Sequence, residues 1–307
     1  MAISITNSPQ RDVRRSAKSW KERILPYLFL LPLLVVNFVV IFGPSVASIF
    51  YAFTDWSGVG AAKFVGLANF VRLVADPLYF KALRNNLLWM LIFLTVPISM
   101  GLLAASFLAS IKRGQMFFRL AFFFPYVLAP TVSVQMWRYI LHPSYGIGAT
   151  LANNFGWGWA NIKFLSNTSI VLPSIAFMDN WQWWGFLAIL YLAAMQAIDS
   201  ELYEAARLDG ANRWQEFIYV TVPGIRATLG FTLMMTMIWS FLSFNFIWLT
   251  TGGGPAHASE VMSTLLYQKA FQSFEVGYAA AIGLSMSFFC GLVALGVTLL
   301  RRKGWEV

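Results

Sequence analysis

The 307-residue chain is predicted to be an all-α integral membrane protein with six transmembrane helices and one structured loop between the fourth and fifth. Three observations carry this expectation. The chain is 58% hydrophobic and only 11% charged, whereas soluble domains carry about 25% charged residues. Six separate runs reach the roughly 20 apolar residues that a hydrocarbon core requires. Lys and Arg gather in the segments on one side of those runs, as orientation in a membrane demands.

In chain order, residues 1–23 read as a polar, basic tail and residues 24–307 as the six-helix domain. The predicted spans are 24–53, 87–111, 117–141, 171–198, 227–250 and 276–300. Pro32, Pro44, Pro97, Pro125, Pro130 and Pro173 lie in or at the ends of spans. Neighbouring helices or water satisfy the carbonyls that such prolines free, so kinked helices packed around a cavity are expected. Segment 54–86 interleaves apolar residues with Gly and suits short interfacial helices, while 142–169 is rich in Gly, Asn and Trp and suits turns with an aromatic cap. The first span is too long, and what precedes it too polar, for a cleavable signal peptide.

With the N-terminus inside, the inner segments hold Arg11, Arg14, Arg15, Lys18, Lys21, Arg23, Lys112, Arg113, Arg119, Arg207, Arg213, Arg226, Arg301, Arg302 and Lys303. The outer loops hold Lys63, Arg72, Lys81, Arg84, Lys163 and Lys269, and Arg138 ends a span. Fifteen against six puts both termini in the cytoplasm. The formal charge of +9 is therefore topology, and binding of nucleic acid is not expected.

The loop at 199–226 is the most structured polar stretch. Asp199 or Ser200 can cap a helix whose first turn holds Glu201 and Glu204, favourable to its dipole. Leu202, Ala205, Ala206 and Leu208 form a small apolar face, Gly210 supplies the backbone that ends the helix, and Asn212 can start a second one. Trp214, Phe217 and Ile218 are expected to face back toward the membrane, with Pro223 leading into the fifth span. The residues by themselves fit two readings, an ordinary amphipathic loop helix or an elbow presented to another protein.

Glu204-Ala205-Ala206, two residues, Asp209-Gly210-Ala211, then Phe217 and Pro223 resemble the EAA loop of ATP-binding-cassette importer permeases. Residues Phe64-Val65-Gly66-Leu67-Ala68-Asn69-Phe70, Phe124-Pro125-Tyr126 and Thr251-Gly252-Gly253-Gly254-Pro255 resemble signatures of the carbohydrate branch, the maltose, trehalose and glycerol-phosphate type. The likeness runs through nearly all of the chain after residue 25; Ala227, where a second proline is common, is a departure. The resemblance implies the type I importer permease fold in a bacterial inner membrane. It also implies a second homologous permease subunit, two ATPase subunits (a homodimer), a periplasmic solute-binding protein and a sugar or sugar derivative as cargo. ATP and Mg would sit on the ATPase, no cofactor on this chain, and Glu204, Ala205, Ala206, Asp209, Gly210 and Ala211 would couple hydrolysis to movement.

A charge at mid-membrane costs about 2.5 kcal/mol or more, so Asp179 in the fourth span should face a polar cavity or a partner. At helical spacing Asp179, Gln182, Trp183 and Phe186 share one face. Such a stripe suits a sugar, with rings on its faces and polar groups on its hydroxyls; alternatively Asp179 is structural and paired with a neighbouring helix. In the fifth span Thr236, Ser240 and Ser243 share a face, which suits either helix packing or a pathway. In maltose-type permeases the positions aligned with these residues, and with Tyr126, contribute to the sugar site, so the resemblance implies a substrate pathway through them.

Other chemistry is not supported. Cys290 has no partner for a disulfide or metal site. His142 and His257 lack a second ligand at metal spacing. Gly252-Gly253-Gly254 precedes no Lys-Ser/Thr and is not a phosphate loop. No nucleophile–base pair or paired carboxylates suggest an enzyme. An ion-coupled secondary transporter or channel subunit is the alternative, but matching broken helices in two inverted halves are not evident.

Overall fold

The structure is a computed structural model that describes residues 20–111 and 113–302; most of the expected basic tail lies outside them. The chain divides after Ser48 into two units. The described part of the first contains α1 (Trp20–Asn37), a π-helical turn at Phe38–Phe42, and the start of α2 (Gly43–Tyr51). From Ile24 to Ser48 it carries no charged side chain and is apolar on all faces. Stretch Tyr27–Tyr51 is long and apolar enough to cross a membrane.

The second unit opens with a two-stranded hairpin, β1 (Thr54–Asp55) against β2 (Lys63–Phe64), pairing Thr54 with Phe64. Asn69 anchors it, its amide donating to the Ala52 and Thr54 carbonyls at 2.9 Å each. That bond explains why the Phe64–Phe70 motif carries an asparagine. Asn69 lies on α3 (Ala68–Ala75), one of the short helices expected in this segment. Asp76 then caps α4 (Pro77–Ser110) by accepting from the Leu78 amide at 2.8 Å, with Pro77 in the first turn where its missing N–H is harmless. The second helix therefore begins ten residues before the apolar run at 87, because the cap lies in the polar segment and hydropathy does not see it.

The predicted third span, 117–141, is not one helix. It is α5 (Gln115–Val127) and α6 (Pro130–Ile140), bent by 96°. Leu128 and Ala129 between them are extended, as residues next to a proline prefer. After α7 (Ile147–Phe155) comes α8 (Val171–Gln196), the centre of the unit. Trp89 and Phe93 of α4 pack with Ile175, Leu187 and Tyr191 of α8 in the larger core cluster. Gly185 lets α8 approach α5 so closely that a Cβ there would lie 1.9 Å from the Phe122 carbonyl oxygen.

The loop follows as α9 (Ser200–Leu208), α10 (Arg213–Glu216), a π-helical turn, and α11 (Val222–Gly224). The predicted fifth span is α12 (Arg226–Leu242) and α13 (Asn245–Thr251), interrupted at Ser243 and Phe244. Then come α14 (Met262–Tyr267) and α15 (Val276–Arg302). A second cluster joins Tyr79 and Ala82 of α4, Phe241 of α12, Met262 and Leu265 of α14, and Tyr278 and Ile282 of α15. Among the described residues four helices are long and apolar enough to cross a membrane, or up to six if each bent pair is one span. Leu87, Leu91 and Leu103 of α4 and Phe288, Leu292 and Leu295 of α15 are exposed large apolar side chains. An apolar exterior around a packed interior is what lipid as solvent selects.

Candidate functional site

Two cavities open between α4, α8 and α12, and Trp89, Asp179, Trp183, Trp239 and Ser243 line both. The larger, about 410 Å³, adds Tyr126, Gln182, Phe244 and Asn245. The smaller, about 130 Å³, adds Phe93, Thr236 and Ser240. Seven of the eight residues expected along a substrate pathway thus border one or other of two adjacent polar–aromatic cavities. The eighth, Phe186, lines neither cavity but stacks on Tyr126 with ring centroids 4.8 Å apart and meets Trp183 at 5.1 Å. It holds the wall.

Asp179 is half-buried, in the third turn of α8. Among the described residues its carboxyl makes no hydrogen bond and no ion pair. Two further polar atoms nearby are also unsatisfied, Trp183 Nε1 and Thr236 Oγ1, both buried. Buried polar groups ordinarily find partners, and Asp179, Trp183 and Thr236 all line the smaller cavity, which marks it as a candidate for polar ligand chemistry.

Gln182 does something other than the stripe suggests. Its Nε2 donates to the Pro125 carbonyl at 2.9 Å and the Leu128 carbonyl at 2.6 Å, so both amide protons are occupied at the α5–α6 break. Ser240 and Ser243 also donate locally, to the Thr236 and Ser240 carbonyls at 2.7 and 3.1 Å. Their oxygens can still accept from the cavity. Ser263 donates to the Ser243 carbonyl at the α12–α13 interruption, and Asn86 bridges the Ser240 carbonyl and the Met262 amide at 2.8 and 2.7 Å. Each of the two helix breaks beside the cavity is therefore held by a side chain from another element.

The pattern reading missed Trp89, Trp239, Phe244 and Asn245 as lining residues. Trp239 directly precedes Ser240 and was legible as a neighbour, whereas Trp89 depends on how α4 packs on α8. It also missed Glu260, whose fully buried carboxylate takes bonds from Thr264 Oγ1 at 2.6 Å and Gln268 Nε2 at 3.1 Å and contacts His257 Nδ1 at 2.9 Å. Gly253, at φ +94°, leaves room for that carboxylate, since a Cβ would come within 2.4 Å of Glu260 Oε2. The glycine run is a cradle for an internal acid. Among the described residues no three His, Cys, Asp or Glu side chains form a group that could hold a metal.

The second candidate surface is the loop elbow. Asp199 caps α9 through the Glu201 amide at 3.0 Å, and Gly210, at φ +81°, turns the chain toward α10. Asn212 and Gln215 form a reciprocal cap, Asn212 Oδ1 accepting from the Trp214 and Gln215 amides and Gln215 Oε1 from the Asn212 amide. Arg207 reaches across to Glu216 with two bonds, 2.9 and 3.3 Å. That hydrogen bond first, and the charge second, hold the Glu216 carboxyl below its usual range and raise Arg207. Glu204, Ala205, Asp209 and Gly210 are exposed, with Ala206 and Ala211 half-buried. Leu208 is 89% exposed, so an apolar side chain projects from a rigid, doubly capped turn. Phe217 packs on the core cluster, while Trp214 and Ile218 are exposed.

No protein-family profile matches the chain. It is 36% identical over 286 residues to the probable ABC transporter permease protein YurN of Bacillus subtilis, spanning 92% of this chain and 96% of that protein. It is 30% identical over 278 residues to the multiple sugar-binding transport system permease protein MsmF of Streptococcus mutans, spanning 90% of this chain and 95% of the relative. The fold is similar, at TM-score 0.83 and 22% identity over 95% of this chain and 99% of the other, to a chain of a bacterial alginate ABC transporter crystallised with an alginate pentasaccharide-bound periplasmic protein. On these likenesses the chain, apolar exterior included, belongs to the integral-membrane permease subunits of ABC transporters.

Proposed function

We propose that this chain is the permease subunit of an ATP-driven, binding-protein-dependent importer of a sugar or sugar derivative. The observation that carries the reading is the unpaired Asp179 in a cavity of tryptophans and hydroxyls inside the helix bundle. Aromatic faces stack on the apolar faces of a sugar, and the polar groups bond its hydroxyls. The sugar named for the MsmF relative and the oligosaccharide of the alginate system support the class of cargo.

In this reading α5 and α6 form one broken span and α8 another, which brings the spans to six, with α9 as a cytoplasmic coupling helix. The basic inner segments support a bacterial inner-membrane location with both termini in the cytoplasm. A second homologous permease completes the pathway, and a periplasmic solute-binding protein delivers the cargo. Two identical ATPase subunits bind ATP and Mg and take up the elbow at Glu204–Ala211, whose exposed Leu208 and capped turn suit a rigid protein contact. Closure of the ATPases would drive the elbow and rock the spans around the cavity.

The test is uptake by the reconstituted complex in vesicles. ATP-driven accumulation of sugar is expected, and Asp179→Ala and Trp183→Ala are expected to abolish it. Uptake driven by an ion gradient without ATP would refute the assignment in favour of a secondary transporter, and normal uptake by both variants would refute the pathway.

A further inference from the structure

The cavity at Asp179 holds an acid and, among the described residues, no base. Its carboxylate has no ionic or hydrogen-bonding partner among the described residues, and no Lys, Arg or His lines either cavity. Trp89, Trp183 and Trp239 line the same space, the last two rings meeting edge-on at 5.0 Å. Rings around an acid are the arrangement that receives a cation, through the ring quadrupoles and a charge-assisted hydrogen bond together.

The two orphaned atoms refine the ligand. Thr236 Oγ1 can accept from an N–H, whereas Trp183 Nε1 can only donate, and so calls for an oxygen acceptor. A neutral sugar would supply that oxygen but offer the Asp179 carboxyl no counter-charge, whereas an ammonium group would favour its ionised form. A compound with both an ammonium group and hydroxyls answers all three groups at once.

We propose that the Asp179 cavity recognises a protonated amine on the cargo, so that the transported compound is an amino sugar or a related polyol amine. This rests on the reading of the chain as a sugar permease and narrows its substrate class. Asp179 takes the ammonium group, Thr236 a further N–H, and Trp183 Nε1 a hydroxyl oxygen.

The experiment measures binding to the intact transporter complex in nanodiscs, without the solute-binding protein, by calorimetry at a pH where the amines are protonated. Two matched series serve as probes: glucosamine, N-acetylglucosamine and glucose; and chitobiose, diacetylchitobiose and cellobiose. In at least one series the free amine should bind about tenfold or more tightly than its acetylated and hydroxyl counterparts, the size of one charge-assisted bond. The preference should vanish in Asp179→Asn and persist in Asp179→Glu. Equal binding within both series, a preference that survives in Asp179→Asn, or no binding by any amine overturns the proposal. If a cation of the second permease neutralises Asp179 instead, Asp179→Asn weakens the permease pair without altering amine preference, which also overturns it. Failure of the permease reading shows separately, as a chain that does not co-purify with an ATPase subunit.

Discussion

The side-chain amide of Gln182 donates to the Leu128 carbonyl at 2.6 Å, joining the middle of α8 to the extended residues between α5 and α6. The same nitrogen reaches the Pro125 carbonyl at 2.9 Å. Where the helix breaks between α5 and α6 the carbonyls lose their regular ladder donors, and the Pro125 carbonyl keeps only a 3.3 Å backbone bond from the Leu128 amide. Gln182 satisfies two of them, and Tyr126, held in that bend, is thereby positioned at the cavity wall.

Gln182→Leu roughly keeps the volume but removes the side-chain donor from both carbonyls, leaving the Pro125 carbonyl with the Leu128 amide alone. A loss of about 1–3 kcal/mol is expected, read as a lower unfolding temperature of the detergent-solubilised complex, together with impaired uptake. A variant with unchanged melting and uptake would show that water replaces the amide without consequence.

Gly185→Ala places a methyl where the Phe122 carbonyl oxygen would be 1.9 Å away. Backbone cannot yield cheaply, so α5 must separate from α8 at a cost of about 1–3 kcal/mol. Thermal unfolding of the variant in nanodiscs checks this, and a melting point equal to that of the parent would contradict the close approach.

The elbow should tolerate substitution in folding and fail in coupling. Glu204 is exposed and Gly210 has no atom near the position of a Cβ, although φ +81° disfavours a side chain by about 1–2 kcal/mol. Glu204→Lys and Gly210→Asp are expected to yield folded chains that no longer convert ATP hydrolysis into uptake. Normal ATP-driven uptake by both would sink the coupling role.

The Arg207–Glu216 pair makes the elbow acid-sensitive. Because the hydrogen bond from Arg207 lowers Glu216 from its ordinary value of 4.5, the pair contributes stability above that value. The contribution is lost as pH falls through the lowered value in the folded protein. Spin labels at positions 202 and 215 in a Cys290→Ser background should report a broadening distance distribution below about pH 4.5. Glu216→Gln should be broad at every pH, and high salt should narrow the difference because the pair is exposed.

Much of this was legible in residue order. The apolar runs, the asymmetry of basic residues and the motif at Glu204–Ala211 come from short-range pattern, and the caps at Asp199 and Asn212 were readable because capping is local. The 96° bend at Leu128–Ala129 was not, since a proline in an apolar run fits a kink as well as a break. Which one occurs depends on whether another helix supplies donors, and Gln182 lies 54 residues from Leu128.

The sequence by itself determined that this chain is a set of apolar helices with a capped polar elbow, because hydropathy and capping act over a few turns of chain. It also placed Asp179, Trp183, Thr236, Ser240 and Ser243 on candidate polar faces. Only the tertiary structure decided that those faces meet with Trp89 and Trp239 around two adjacent cavities, that Gln182 serves the backbone, and that Asp179 has no partner among the described residues. Periodicity says which side chains share a helix face. Which helix that face meets is set by close approaches such as Gly185 on Phe122, and those are contacts between distant parts of the chain.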